Sequence, residues 1–94
     1  MIENIKTYEL TLSGRVQGVG FRYFVESIAE RFGITGFVRN TPDRKVEVIC
    51  QGEEKDLKKF IDEIKKGPSF SVVTDSRVEE IKDSKKYSIF EIKF

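Results

Sequence analysis

Tyr8, Leu10 and Leu12 alternate with Glu9, Thr11 and Ser13, the two-residue period of a strand with one buried face. From Phe21 the period lengthens. Phe21, Phe24, Val25, Ile28, Ala29 and Phe32 form one apolar stripe on a helix of about three turns, stopped by Gly33. Ile34 to Asn40 predicts a second strand, and Lys45 to Gln51, with Val46, Val48 and Cys50 on one face, a third. Thr41-Pro42-Asp43-Arg44 is the short hairpin turn between them. Leu57, Phe60, Ile61 and Ile64 stripe a second helix. Its acidic start at Glu53, Glu54 and Asp56 and basic end at Lys65 and Lys66 suit the helix dipole, and Gly67-Pro68 ends it. A fourth strand falls within Val72 to Lys82, and Ser88, Phe90, Ile92 and Phe94 alternate with Tyr87, Ile89, Glu91 and Lys93 in a closing one.

The order β-α-β-β-α-β plus a short extra strand predicts an α+β split βαβ sandwich, with an antiparallel sheet carrying two helices on one face. In that topology the first two strands run parallel with the third inserted between them. Their ends then share one edge of the sheet, roughly 10 Å apart, or two strand spacings. The glycine-containing stretch Ser13 to Phe24, SGRVQGVGFRYF, leaves the first strand at that edge, and Asn40 closes the second.

Composition narrows the chemistry. The 94 residues suit one domain spanning residues 1–94, with no room for a separate cofactor domain. With 17 basic and 16 acidic side chains, no broad positive footprint for nucleic acid exists. Cys50 is the only cysteine, which excludes an internal disulfide or a cysteine-built zinc site and favours a cytoplasmic protein. It reads as a buried small hydrophobe. Met1 to Leu12 has no apolar leader and no segment is long and apolar enough for a membrane span, so no membrane partner is expected. Because the chain contains no histidine, serine–histidine and cysteine–histidine nucleophilic systems are excluded, as is the commonest transition-metal ligand.

The glycine loop matches neither familiar phosphate motif. Gly14 and Gly18 are separated by three residues rather than four and are followed by Val19-Gly20 in place of Lys-Ser/Thr, while a dinucleotide fingerprint from Gly18 meets Tyr23 where its last glycine belongs. The physics of those motifs still applies. Residues Gln17 to Arg22 lead into a helix whose first N–H groups lack partners, and Gly18 and Gly20 allow them to curl around one point, a cup for an anion. Arg22 in the first turn opposes the helix dipole by about 0.3–1 kcal/mol, a balance that a bound anion reverses. Taken singly, each residue has an ordinary reading: a tight turn for the glycines, a surface arginine for Arg22, a turn-initiating asparagine for Asn40. Their shared edge is what joins them.

GRVQGVGFR at residues 14–22 followed by GFVRN at 36–40 resembles the acylphosphatases, as do VEV at 46–48, QG at 51–52 and the closing FEIKF. The resemblance implies a ferredoxin-like sandwich and hydrolysis of a small-molecule acyl phosphate to a carboxylate and inorganic phosphate, with no cofactor or metal. It also implies that Arg22 grips the phosphoryl oxygens and Asn40 holds the attacking water. The backbone of Gln17, Gly18, Val19, Gly20 and Phe21 would cradle the phosphate, Thr41 would orient Asn40, and Arg15 would support the site. The family often has Asp-Gly where this chain has Asp43-Arg44. An arginine at positive φ costs roughly 1–2 kcal/mol, so the turn is expected to take another type or register.

The chemistry is compatible with a chain without histidine, because a carboxylate leaving group needs no general acid and phosphoryl transfer depends on positioning and charge stabilisation. The alternatives are a non-catalytic phosphate- or anion-binding module of the same fold, or an RNA-binding one, although VEVICQG lacks the exposed aromatics of an RNA-reading strand. Relatives of this fold also serve as acyl-phosphate-handling modules of larger maturation proteins. Ending at Phe94 without linker or zinc-finger cysteines, the chain is expected to be a free-standing enzyme, a monomer, with no nucleic-acid partner. The Phe94 carboxylate is expected to pair with a nearby arginine.

Overall fold

The computed structural model describes residues 4–94. Residues 1–3, which open the stretch read above as lacking an apolar leader, lie outside the described residues. The elements are β1 (Ile5–Arg15), α1 (Phe21–Phe32), β2 (Thr35–Asn40), β3 (Val46–Glu53), α2 (Glu54–Lys66), β4 (Val72–Glu80) and β5 (Phe90–Lys93). The predicted elements all form, with boundaries moved by up to three residues, the first strand lengthened to Ile5–Arg15 and the closing strand shortened to four residues.

The strands make one sheet in the order β4-β1-β3-β2-β5. β3 pairs antiparallel with β1 on one side and β2 on the other. β4 pairs antiparallel with β1, but β5 joins β2 in parallel, so the sheet is mixed at that edge rather than antiparallel throughout. The parallel pairing follows from the chain path: the segment after β4 crosses the sheet before re-entering beside β2, at the edge opposite β4.

Alternate residues of the sheet, Leu10 and Leu12 of β1, Val38 of β2 and Val46, Val48 and Cys50 of β3, are buried beneath Phe21, Val25 and Ile28 of α1 and Leu57, Phe60 and Ile64 of α2. Truncating a ring such as Phe60 would cost about 3–5 kcal/mol. Phe90 packs edge-on against Phe60, 6.2 Å between ring centroids, which ties β5 to this core. Gln51 is buried with every polar group satisfied. It donates to Thr7 Oγ1 and the Lys85 carbonyl and accepts from the Tyr87 N–H, each at 2.9 Å, holding the segment between β4 and β5 against the open face of the sheet. No helix among the described residues is long and apolar enough to cross a membrane.

The hairpin corrects one expectation, because Arg44 does adopt positive φ, at 66°. The Arg44 N–H bonds back to the Thr41 carbonyl at 3.2 Å and the Thr41 N–H bonds to the Lys45 carbonyl at 2.9 Å, the closure of a three-residue hairpin loop that ends in a left-handed residue. Thr41 Oγ1 accepts from the Lys45 N–H at 3.0 Å and donates to the Asp43 carboxylate, which holds that carboxyl below its ordinary range. Local bonds therefore hold an arginine where glycine is easier. Arg44→Gly is expected to raise Tm by a few degrees, read by calorimetry, as the steric penalty disappears against the smaller entropic cost of glycine.

Cys50 lies buried, with Sγ 3.6 Å from the Tyr8 carbonyl, and burial pushes its thiol from the ordinary 9.0 up to about 12. A raised folded-state value means that the unfolded chain ionises first, so this contribution to stability is whole below about pH 9 and declines as pH rises toward 12. At pH 8 the native protein should react with a thiol reagent only at its rate of opening, and with full speed in urea; immediate labelling of folded protein would contradict the burial.

Candidate active site

The edge where β1 and β2 end carries the loop leading into α1. Gly18 (φ 74°) and Gly20 (φ 75°) are both left-handed, and Gly20 is the N-cap of α1. A side chain at either position would meet open space, so backbone conformation rather than crowding selects glycine. The start of α1 has no side-chain cap and no acidic residue in its first turn. The first helical bond is that of the Phe24 N–H to the Gly20 carbonyl, at 3.1 Å. The N–H groups before it are left with no helical acceptor at the positive end of the dipole.

Facing them is Asn40, the last residue of β2, paired with Val46. Its Oδ1 is buried and is the one buried side-chain polar atom without a hydrogen-bond partner among the described residues. Among the described residues no N–H or side-chain donor reaches this acceptor. Asn40, Arg22, Gly18, Gly20, Val16, Phe21 and Tyr23 line one cleft of about 120 Å³. A larger groove of about 530 Å³ runs along α2 at the β4 edge, lined by Tyr8, Leu57, Ile61 and Val78 with flanking charges. Its charged lining, Glu54, Lys55, Lys58 and Asp62, mixes both signs, and size does not locate chemistry here.

Arg22 is half-buried and held from one side. Its Nη1 donates to the Lys93 carbonyl at 3.1 Å, and its guanidinium lies 4.6 Å from the centroid of the Phe94 ring. The expected ion pair with a Phe94 carboxylate is replaced by these contacts with ring and main chain. β5 reaches Arg22 because its parallel pairing carries Lys93 alongside Arg39, next to Asn40.

Gln17 does more than its backbone. Its Nε2 donates to the carbonyls of Thr41, at 3.0 Å, and Lys45, at 2.8 Å. One side chain thus stitches the glycine loop to the hairpin that ends β2. Thr41 bonds within that hairpin rather than to the Asn40 side chain. Val19 packs against the core. Arg15 ends β1 opposite Val72, exposed and outside the cleft lining. Sequence reasoning missed the Gln17 side chain, the Lys93 carbonyl and the Phe94 ring. Each acts across 24 to 72 residues of chain, and no local pattern marks it. Gln17→Ala is expected to cost about 1–3 kcal/mol in urea unfolding, since two hydrogen bonds between the loops are lost although each carbonyl keeps its N–H donor within the hairpin, with faster hydrogen exchange confined to residues 41–45.

Comparison with known proteins agrees with this geometry. The acylphosphatase family pattern matches residues 8–92. The chain is 47% identical to an acylphosphatase of Bacillus licheniformis over 87 residues, 93% of this chain and 97% of that one. It is 41% identical to one of Archaeoglobus fulgidus over 86 residues, 92% of this chain and 96% of the relative. The crystal structure of acylphosphatase from Bacillus subtilis superposes with a TM-score of 0.92 at 39% identity, covering 95% of this chain and 99% of that one. Full-length HypF in its phosphate- and nucleotide-bound form matches all of this chain with 12% of its own, at 36% identity and a TM-score of 0.89. On its sequence, its fold and its relatives, the chain belongs to the acylphosphatase family.

Proposed function

We propose that this cleft hydrolyses the carboxyl-phosphate bond of small acyl phosphates, with Arg22 and Asn40 as catalytic residues. The observation that carries the reading is the unpaired, buried Oδ1 of Asn40 in the same cleft as Arg22 and the uncapped start of α1. The free N–H groups of Gln17 to Phe21 and the Arg22 guanidinium hold the phosphoryl oxygens, supplying positive charge where the transition state spreads its negative charge. Asn40 Oδ1 accepts a hydrogen bond from water and aims its oxygen at phosphorus. The new O–P bond forms in line as the acyl C–O–P bond breaks at phosphorus. The carboxylate leaves with the bonding pair, and a phosphoryl oxygen takes the proton that the water loses. Thr41 and Gln17 position Asn40, and Arg15 supports the loop from the end of β1. We assign the enzyme to the cytosol on its lone, reduced Cys50.

An RNA-binding role for the open sheet face is disfavoured by its charge. Glu9 sits there between Ile49 and Glu79, and its carboxyl is pushed up by burial and then by the neighbouring charges of Glu47 and Glu79. On the same face Arg39 pairs with Glu47, and Arg77 and Lys93 stand in register nearby, so charges of both signs are mixed and no continuous positive footprint for a phosphodiester backbone forms.

Purified protein is expected to hydrolyse acetyl phosphate in the presence of a chelator. Arg22→Ala and Asn40→Ala should each lose at least about a hundredfold in kcat while keeping the native circular dichroism spectrum. Activity that appears only on adding metal, or full turnover by Asn40→Ala, would falsify the assignment. Phosphate binding by calorimetry with no hydrolysis would favour the anion-binding alternative.

A further inference from the structure

β4 stands at the end of the sheet order, so the N–H and carbonyl groups along its outer edge have no strand partner. Such an edge is a template for another strand unless charge or irregularity blunts it. Val78 lies opposite the buried Leu10 and so faces the helix side, yet it is 39% exposed, in the groove with Tyr8, Leu57 and Ile61. Asp75, Arg77 and Glu79 lie opposite Ser13, Thr11 and Glu9, on the open face, and all three are exposed. Glu79 and Glu9 are thus like charges directly across the ladder, a destabilising pair. Neither Arg77 nor Glu79 belongs to an ion pair among the described residues.

The charges along this edge fit a second copy of the same strand. Two antiparallel copies of β4 with their helices on one side pair residues of the same face, so the signs can be read register by register. Centred on Arg77, arginine meets arginine; centred on Asp75 or Glu79, carboxylate meets carboxylate. Centred on Ser76, the pairing joins Asp75 to Arg77 but crosses the bulge between Val73 and Asp75 and leaves Glu79 against Glu9. Centred on Val78, it sets Arg77 against Glu79 twice, clears the bulge and lays one Val78 on the other beside both apolar grooves. We propose that two copies of this chain, in place of the expected monomer, associate through β4 about a two-fold axis at Val78 and form one continuous sheet. Main-chain bonds along Ser76 to Glu80 join the copies, the crossed Arg77–Glu79 pairs set the register, and each Glu79 gains the cation that β1 does not offer. β5, the other edge strand, is only four residues long, and its Lys93 side chain already lies over the Phe37 ring.

Sedimentation velocity of the full chain, from micromolar to millimolar concentration, should show reversible conversion to a species of twice the chain mass. Arg77→Glu and Glu79→Arg should each weaken association by about tenfold or more, because like charges then meet twice across the axis. The two variants mixed with each other, and the double variant Arg77→Glu/Glu79→Arg, restore opposite signs at every crossing and should recover the dimer. Recovery on mixing separates a broken contact from a misfolded chain, and circular dichroism of each variant should match wild type. A species of one chain mass at every concentration overturns the proposal. Weakening by Arg77→Glu with Glu79→Arg inert overturns this register in favour of pairing about Ser76. A dimer that neither variant disturbs overturns the β4 contact altogether.

Discussion

β3 is hydrogen-bonded along both edges, to β1 on one side and β2 on the other, and the site depends on that double pairing. Because both partners run antiparallel to β3, they run parallel to each other and end at the same edge, roughly 10 Å apart. One end releases the glycine loop and the other presents Asn40. Sheet hydrogen bonds set this spacing, and the Gln17 amide then fixes the two loops against each other. Without β3 between them, neither half would have a counterpart.

The cleft holds groups that folding leaves unsatisfied. α1 begins without a capping side chain or an acidic first turn, Gly18 and Gly20 are in left-handed conformations, and the Asn40 acceptor is buried without a donor. The helix start contributes N–H donors and Asn40 an acceptor to the same cleft. The guanidinium of Arg22 is kept from swinging free by the Lys93 carbonyl and the Phe94 ring.

The apolar periods at Tyr8–Leu12, Phe21–Phe32 and Leu57–Ile64 were enough to read strand, helix and helix, because burial of one face imposes period 2 or 3.6 whatever the partner is. Element order then led to the sandwich, to the shared edge and so to Arg22 and Asn40. The turn at Arg44 was misjudged because its penalty was weighed alone. The hairpin closure through Thr41, Arg44 and Lys45 outweighs it. The parallel docking of β5 was likewise beyond a four-residue strand, whose pattern carries no sign of which edge it joins or in which direction.

By itself the sequence determined which residues face the core, where helices start and stop, and that any chemistry must proceed without imidazole, since these follow from neighbours along the chain and from composition. Only the tertiary structure decided that Gln17 stitches two loops, that Lys93 and Phe94 hold Arg22, and that Asn40 Oδ1 is buried with no partner among the described residues. Those are relations between residues as much as 72 positions apart, created when the sheet closes the distance.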